Sequence, residues 1–318
     1  MRACFIVDQI DTMIPYKDTS LDLMVEAQAR GHTVDAIEGF HGVSAGTDGV
    51  VGQVRSIRLS PDVRDNKKLT ADNATIGEAR TEDLAGYDAI FIRNDPPFGM
   101  DYFSMALLLS PLEGKVQFVN SPNGLRVISE KLSSLCFPSF IPDSFASYDP
   151  VALRTFAQKH EKVVLKPSYF GAGSGVVLSA ASDPDFEKHI ETILAIEPKG
   201  PVIAQGFLPE VADGDTRVMM LAGKVMGAVG RKPPEGEFRA NIAQGGTEFA
   251  ADLSDRQMAI AEEVGRFLTE HRIIYAGLDF IGDHLIEMNV TSPTLVQELR
   301  RVGGPDMSKL IWDYLEKR

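Results

Sequence analysis

Cysteine is nearly absent. The 318 residues hold two, Cys4 and Cys136. Two thiols cannot build a disulfide framework, so they read as free or buried groups of a reducing compartment. No stretch approaches the roughly 18 to 20 consecutive apolar residues that a bilayer-spanning helix needs. The opening run, Met1 to Pro15, is broken by Asp8 and Asp11, and it reads as a strand, not a signal peptide. Positive charge is in deficit. There are 32 Lys and Arg against 45 Asp and Glu, a net charge of −13, which opposes nucleic acid and anionic membrane as partners. Internal repeats and low-complexity tracts are missing too. These absences leave a soluble, cytoplasmic protein. Any polyphosphate it binds must be met by basic residues gathered locally, with help from a divalent cation.

What is present is average globular composition, 44% apolar and 24% charged, so the chain folds. Its length exceeds one ordinary core and implies two or three packed units. The first third alternates strands and helices: a strand at Ala3 to Asp8, a helix from Leu21 to Arg30 stopped by Gly31, and strands at Thr33 to Ile37, Ala89 to Arg93 and Val116 to Asn120. This pattern implies an α/β fold with a parallel sheet covered by helices. The Gly-rich stretch Gly39 to Gly52 and the charged residues 60–83 read as loop. From Ser129 the character changes. A helix at Ser129 to Leu135 and further helices at Val151 to His160, Asp185 to Ile196 and Asp255 to His271 are interleaved with short strands. These two later parts read as α+β units with antiparallel strands. Units are expected at 1–128, 129–205 and 206–318.

Three clusters carry chemistry. In the first, Val163-Val164-Leu165-Lys166-Pro167 puts a lysine at the end of an apolar strand, and Gly171-Ala172-Gly173-Ser174-Gly175 follows. Glycines at alternate positions let backbone N–H groups converge on an anion. With Lys131 this suits phosphate. No Gly-Lys-Ser/Thr follows and no helix opens at the last glycine, so it is neither a Walker loop nor a dinucleotide fingerprint.

The second cluster is the hairpin from Gly277 to Asn289, where Asp279, Glu287 and Asn289 interrupt apolar strands. A two-residue turn at Gly282-Asp283 would pair Asp279 with Ile286 and send Glu287 to the other face. A three-residue loop would pair Asp279 with Glu287. Two facing carboxylates need a cation between them, and oxygen-only ligands indicate Mg²⁺ or Mn²⁺. The third cluster, Arg231 to Gly246, is a polar Pro/Gly-rich loop with Arg239 and Asn241. Arg217 precedes it in an apolar strand. Arginine forks bind carboxylates and phosphates. Together the clusters ask for a nucleoside triphosphate with metal. The extended segment Ala204 to Leu208 offers backbone to an adenine edge, with Phe207 and Leu208 as apolar walls.

The sequence resembles the ATP-grasp superfamily and, within it, the prokaryotic glutathione synthetases, over roughly residues 3–315. The resemblance rests on Lys17-Asp18-Thr19-Ser20, Arg93-Asn94-Asp95-Pro96-Pro97-Phe98, Asn120-Ser121-Pro122, Glu130-Lys131-Leu132 and Leu165-Lys166-Pro167. Asp213-Gly214-Asp215-Thr216-Arg217, Gly277-Leu278-Asp279 and Glu287 to Thr294 add to it. It implies a substrate-binding pre-ATP-grasp domain followed by an ATP-grasp fold of two subdomains. It implies a ligase that joins γ-glutamylcysteine to glycine through an acyl phosphate, in a homo-oligomer with a tetramer as the candidate assembly. By position, Lys131, Lys166, Gly171, Gly173, Ser174 and Gly175 are expected at the phosphates. Gln205, Gly206, Phe207 and Leu208 are expected at the adenine, Asp215 at the ribose and Asn241 in the nucleotide site. Asp279, Glu287 and Asn289 are the implied ligands of Mg²⁺ or Mn²⁺. Arg217, Arg231 and Arg239 are implied at the reacting groups, and Asp18, Ser20, Arg93, Asp95, Ser292 and Thr294 at the substrate.

Two segments depart from the family pattern. Gly171 comes five residues after Lys166 instead of four, and Leu295-Val296-Gln297 follows Ser-Pro-Thr where Gly or Cys, then Ile, then Arg is usual. The second departure keeps a related ligase with a different amine or acyl substrate as the alternative.

Overall fold

The computed structural model describes residues 1–171, 173–234 and 245–318. The N-terminal third runs through β1 (Arg2–Val7), α1 (Thr19–Ala29), β2 (Thr33–Glu38), β3 (Val43–Gly46) and β4 (Gly49–Leu59). It continues through β5 (Ala74–Ile76), β6 (Arg80–Asp83), β7 (Ala89–Ile92), α2 (Met100–Leu109), β8 (Gln117–Val119) and α3 (Pro122–Val127). The strands β2, β1, β7 and β8 pair in parallel. Ala3 to Val7 and all of β7 are buried, as expected for strands covered on both faces. Asp18 caps α1, its Oδ1 accepting from the Leu21 amide at 2.8 Å.

The glycine-rich stretch and the end of the charged stretch, both expected as loop, hold strands, while residues 60–73 remain loop and turn around one 3-10 segment, as expected. These strands, β3 to β6, form an antiparallel ribbon joined to the sheet through β4 and β2. The domain's sheet is therefore mixed, with a parallel core. In β4 the inward positions are Val50, Gly52, Val54 and Ile57. The strand period of two is there, but a glycine inside and charged residues outside conceal it.

The central part comprises β9 (Ser144–Ser147), α4 (Pro150–Ala157), β10 (Val163–Pro167), β11 (Val177–Ser179), α5 (Phe186–Ala195) and β12 (Val202–Gly206), with an antiparallel sheet ordered β11-β10-β12-β9. The helix expected at Ser129 to Leu135 is only a 3-10 segment, Leu132–Cys136. Ser133 Oγ accepts from the Ser129 amide at 2.9 Å and Ser134 Oγ donates to the Lys131 carbonyl at 2.5 Å. These hydroxyls compete with the α-helical ladder.

The last part holds β13 (Asp215–Leu221), β14 (Lys224–Lys232), β15 (Thr247–Ala250), α6 (Asp255–Glu270), β16 (Tyr275–Ile281), β17 (His284–Asn289), α7 (Val296–Arg301) and α8 (Met307–Glu316). Its sheet is antiparallel, ordered β15-β14-β13-β16-β17. Among the described residues no helix is long and apolar enough to cross a membrane.

Burial divides the chain differently from sequence order. One apolar cluster, including Leu153, Leu165, Phe186 and Ala204, belongs wholly to the central part. The other two mix the first and last thirds. One includes Ile6, Ile92, Val218 and Leu278; the other includes Phe5, Phe91, Tyr275 and Trp312. The Trp312 indole donates to the Leu23 carbonyl at 2.9 Å. The tightest tie is Asn120, just past β8 and 1% exposed. Its Nδ2 donates to the Tyr275 and Val290 carbonyls at 2.7 Å each, and its Oδ1 accepts from the Ile274 and Tyr275 amides at 2.8 and 2.9 Å. One side chain thus satisfies four backbone groups of the C-terminal sheet and its flanks. Asn120→Ala strands those groups, each at about 1–3 kcal/mol, so denaturant unfolding should show a loss of at least about 3 kcal/mol. A loss within 0.5 kcal/mol, on the order of a surface substitution, would remove Asn120 from this role.

Candidate active site

The C-terminal sheet concentrates charge on one face. Register pairs Asp215 with Arg231 across β13 and β14, Arg217 with Asp279 across β13 and β16, and Asp279 with Glu287 across β16 and β17. Asp215 and Arg217 are two residues apart and so share a face. The hairpin combines a two-residue turn with a bulge in place of the three-residue loop. The turn is the two-residue Gly282-Asp283, with Ile281 opposite His284 and Phe280 opposite Leu285. A bulge then shifts the register, so that Asp279 faces Glu287 and not Ile286.

The side chains alternate in sign. Arg217 grips Asp279 through Nε and Nη2, both at 2.6 Å, and its Nη1 reaches Thr294 Oγ1 at 3.2 Å. Arg231 grips Asp215 with both bonds at 2.7 Å, and its Nη2 also reaches Asp279 Oδ2 at 2.9 Å. Gly277 leaves the room: a β-carbon there would stand 3.1 Å from Arg217 Cδ. Burial alone would push the Asp279 carboxyl up. The charges and hydrogen bonds of Arg217 and Arg231 outweigh it and hold the group well below the usual carboxylate range. For Asp215 burial wins over Arg231, and its carboxyl is raised.

Two cavities lie on either side of this array. The smaller, of about 110 Å³, is lined by Lys131, Lys166, Gly173, Gln205 to Leu208, Asp215, Asp279 and Glu287. The larger, of about 670 Å³, is lined by Asp18, Ser20, Arg93, Asp95, Gly171, Ser174, Arg217, Arg231, Asn289, Ser292 and Thr294, among others. The charged face is therefore a wall, with carboxylates toward one cavity and guanidiniums toward the other.

On the small-cavity side the two lysines differ. Lys131 pairs with Glu287 at 3.0 Å and donates to the Phe170 carbonyl. Burial would lower it, but the Glu287 and Glu130 carboxylates prevail and raise it. Among the described residues Lys166 meets only an amide oxygen, Gln205 Oε1 at 2.6 Å. Burial draws it down to about 8, with Glu287 opposing and Lys131 adding to the fall. Gly173 and Gly175 have φ of +71° and +70°, the left-handed region that glycine fills without strain. Gly171 faces Pro96, while Gly175 packs against Pro167 and is not among the residues lining either cavity. The adenine expectation is narrowed. The amides of Gly206 and Phe207 already donate to the Asp143 and Lys162 carbonyls, and Gln205 lies within the ladder between β10 and β9.

On the large-cavity side, Arg93 is buried and donates to Ser20 Oγ at 3.2 Å and to the Pro293 carbonyl at 2.9 Å. Ser292 Oγ donates to the Arg93 carbonyl at 3.1 Å. Burial raises the carboxyls of Asp18 and Asp95. Leu295 lines the cavity, but Gln297 turns away and donates to the Pro15 and Asp18 carbonyls at 2.8 and 3.0 Å. Arg239 and Asn241 lie outside the described residues.

Sequence reasoning did not single out Asp8, Thr19, Thr291 or Glu298, which also line this cavity. Glu130 lines it too and fastens the Val290 and Thr291 amides at 2.9 and 3.0 Å. An acidic residue directly before Lys131 was the available signal. For a metal, the donors are all oxygen: Asp279 Oδ1 accepts one hydrogen bond, Glu287 Oε2 meets only Lys131, and Asn289 uses its Nδ2 on the Gly277 carbonyl at 3.3 Å, leaving its oxygen for a cation. The donor types suit a hard divalent ion, but Asp279 and Glu287 line the smaller cavity and Asn289 the larger, and both Asp279 oxygens are held by guanidiniums. Among the described residues no three His, Cys, Asp or Glu side chains cluster to hold a metal, so the rest of such a shell would come from a ligand.

A phosphate needs Lys166 charged. Above pH 8 the free protein must first take up a proton there, so nucleotide affinity should fall by up to about tenfold per pH unit beyond that point. Calorimetric titration with ATP across pH 7 to 9.5 checks this. Lys166→Arg should flatten the profile, and Lys166→Ala should weaken binding by about 1.5–3 kcal/mol. Wild-type affinity in Lys166→Ala would make the lysine structural.

Comparison with known proteins agrees with this layout. Residues 1–126 match the prokaryotic glutathione synthetase N-terminal domain, and residues 130–304 match its ATP-grasp domain. Glutathione synthetase of Pseudomonas syringae pv. tomato is 36% identical over 323 residues, covering 100% of this chain and 98% of that protein. That of Rhodopseudomonas palustris is 35% identical over 301 residues, covering 95% and 93%. The fold is shared with the crystal structure of a D-cycloserine synthetase, at a TM-score of 0.67 and 14% identity, over 100% of this chain and 99% of that one. It is shared too with a RimK-domain ATP-grasp protein of Sphaerobacter thermophilus, at a TM-score of 0.59 and 16% identity, over 99% of both chains. The chain belongs to the prokaryotic glutathione synthetase family, with that family's N-terminal domain and ATP-grasp domain in order.

Proposed function

We propose that this chain joins γ-glutamylcysteine to glycine, with ATP converted to ADP and phosphate. The observation that carries this reading is the charged wall between two cavities of unlike character. ATP lies on the side of Lys131, Lys166 and β12. The peptide lies on the side of Asp18, Ser20, Arg93 and Asp95, so the N-terminal third holds substrate and does not touch the adenine.

A carboxylate is a poor electrophile. Its oxygen attacks the γ-phosphorus of ATP, the bond to the ADP oxygen breaks, and an acyl phosphate forms. Arg217 and Arg231 offset the charge on the transferring group, with Lys131 and Lys166 on the departing phosphates. The neutral amine of glycine then attacks the acyl carbon, phosphate leaves and the amine proton is lost. No protein nucleophile is needed. Cys4 is buried inside β1, where burial pushes its thiol out of the reactive range, and Cys136 lines neither cavity. Asp279, Glu287 and Asn289 would hold Mg²⁺ or Mn²⁺, which when bound neutralises phosphate charge and fixes its geometry. Ser292 and Thr294 border the substrate, and Asp215 borders the ribose side. The assembly is taken as a homo-oligomer working on small molecules in the cytoplasm.

Leu295 in the larger cavity supports a second reading, in which another amine replaces glycine. Mass spectrometry of the product from ATP, Mg²⁺, γ-glutamylcysteine and a panel of amino acids separates the two. Glutathione with one ADP per peptide bond is the expected result, and a different amide formed in preference overturns the glycine assignment. Glu287→Gln should raise the Mg²⁺ concentration for half-maximal activity about tenfold or more, while metal-free ATP binds as in wild type. An unchanged Mg²⁺ requirement would remove Glu287 from the metal site.

A further inference from the structure

Three of the eleven buried polar side-chain atoms without partners among the described residues lie around one cavity. Among the described residues, Thr19 Oγ1, Arg93 Nη1 and Glu298 Oε2 are buried and accept or donate no hydrogen bond. All three residues line the larger cavity. A buried polar group left unpaired is costly, so three around one cavity indicate a ligand that supplies their partners. Two of them are charged and of opposite sign.

Glu298 stands in the first turn of α7 and is 2% exposed. Its Oε1 accepts from Arg301 Nη2 at 2.9 Å. That arginine is shared with Glu248 at 3.0 Å and the Tyr16 carbonyl at 3.2 Å, so it compensates Glu298 only in part. Burial accordingly raises the Glu298 carboxyl, a strain that a second cation would relieve. Its neighbour Gln297 fastens the Asp18 carbonyl, and Arg93 fastens the Pro293 carbonyl and Ser20. The start of α7, the start of α1 and Arg93 thus form one corner of the cavity. None of the Glu298 bonds reaches the Asp215–Arg231–Asp279–Arg217 array, where the acyl phosphate would form.

We propose that Glu298 is a specificity-determining residue for the acyl substrate: its Oε2 accepts a hydrogen bond from the α-ammonium of the γ-glutamyl end, while the α-carboxylate lies against Arg93 Nη1. The substrate class is then a peptide with a free amino-acid head, recognised by both charges. This rests on the peptide-ligase reading above. The incoming glycine also carries an ammonium, but that group must be neutral and beside the acyl carbon to react, which places it toward the array and away from this corner.

The test crosses a residue change with a substrate change. γ-Glutamylcysteine and glutarylcysteine, which lacks only the α-ammonium, are compared in wild type and in Glu298→Gln. The amide of the variant can still accept from Arg301, so α7 is kept. In wild type, losing the ammonium should lower kcat/KM about 10- to 100-fold. Glu298→Gln should lose a similar factor on γ-glutamylcysteine, chiefly in its KM, with the KM of ATP unchanged. With glutarylcysteine the variant should lose little more than wild type does, because the partner is already gone. Losses that multiply in full overturn the proposal, as does a kcat effect with the KM of γ-glutamylcysteine unchanged. Wild type using both substrates equally overturns it whatever the variant does. A wild-type protein that forms no glutathione from γ-glutamylcysteine and glycine is a different result and defeats the ligase reading itself.

Discussion

One carboxylate organises the catalytic sheet. Asp279 sits between two guanidiniums, Arg217 from the adjacent strand β13 and Arg231 from β14 one strand further on, and among the described residues it alone bridges them. Charges this deeply buried are tolerated only when paired and hydrogen-bonded. The chain meets that condition by alternation, Asp215, Arg231, Asp279, Arg217, and beside it by a separate pair, Glu287 with Lys131. The arrangement holds each fork in a fixed plane and leaves one arginine edge toward the larger cavity. A site for a transferring phosphoryl group needs its positive charge in place before the reaction, so that no reorganisation is needed in the transition state.

Register makes the series possible, and register is what the sequence only half disclosed. The apolar hairpin strands and the positions of Asp279, Glu287 and Asn289 were legible from pattern. Their common face was not. It depends on whether Ile286 is accommodated in the turn or in the strand, and the structure puts it in a bulge. The pairing of Arg217 with Asp279 was hidden for a similar reason. Their strands are adjacent but 62 residues apart in the chain, and spacing carries no information over that distance.

Other parts were legible or not for equally local reasons. The parallel strands around Phe5 and Phe91 read as continuous apolar runs because helices or other strands cover both faces. The ribbon from Val43 to Asp83 was missed because Gly52 occupies an inward position and the outward face is charged. The segment after Ser129 looked helical by apolar spacing, yet three serines there bond the backbone locally. In the site, lysines, arginines and the glycine run stood out by type. Glu298 did not, since an acidic residue at a helix start is ordinary and only its burial marks it.

The separate core of the central part has a mechanical consequence. Leu153, Leu165, Phe186 and Ala204 are sealed among themselves, whereas the first and last thirds share their cores and are riveted by Asn120. The central body therefore keeps its apolar core apart from the core that the other two parts share. Among the described residues the polar ties to the rest include the Phe98 amide to the Tyr169 carbonyl at 3.0 Å and Lys131 to the Phe170 carbonyl. The neutral bond is worth on the order of 1 kcal/mol net and the one from the charged lysine about 1.5–3 kcal/mol. Ligand pockets usually enclose roughly 300 Å³ or more, and the smaller cavity beside Lys166 and Glu287 offers about 110 Å³. What joins the central body to the other two parts is then chiefly hydrogen bonding, since its apolar core is closed on itself.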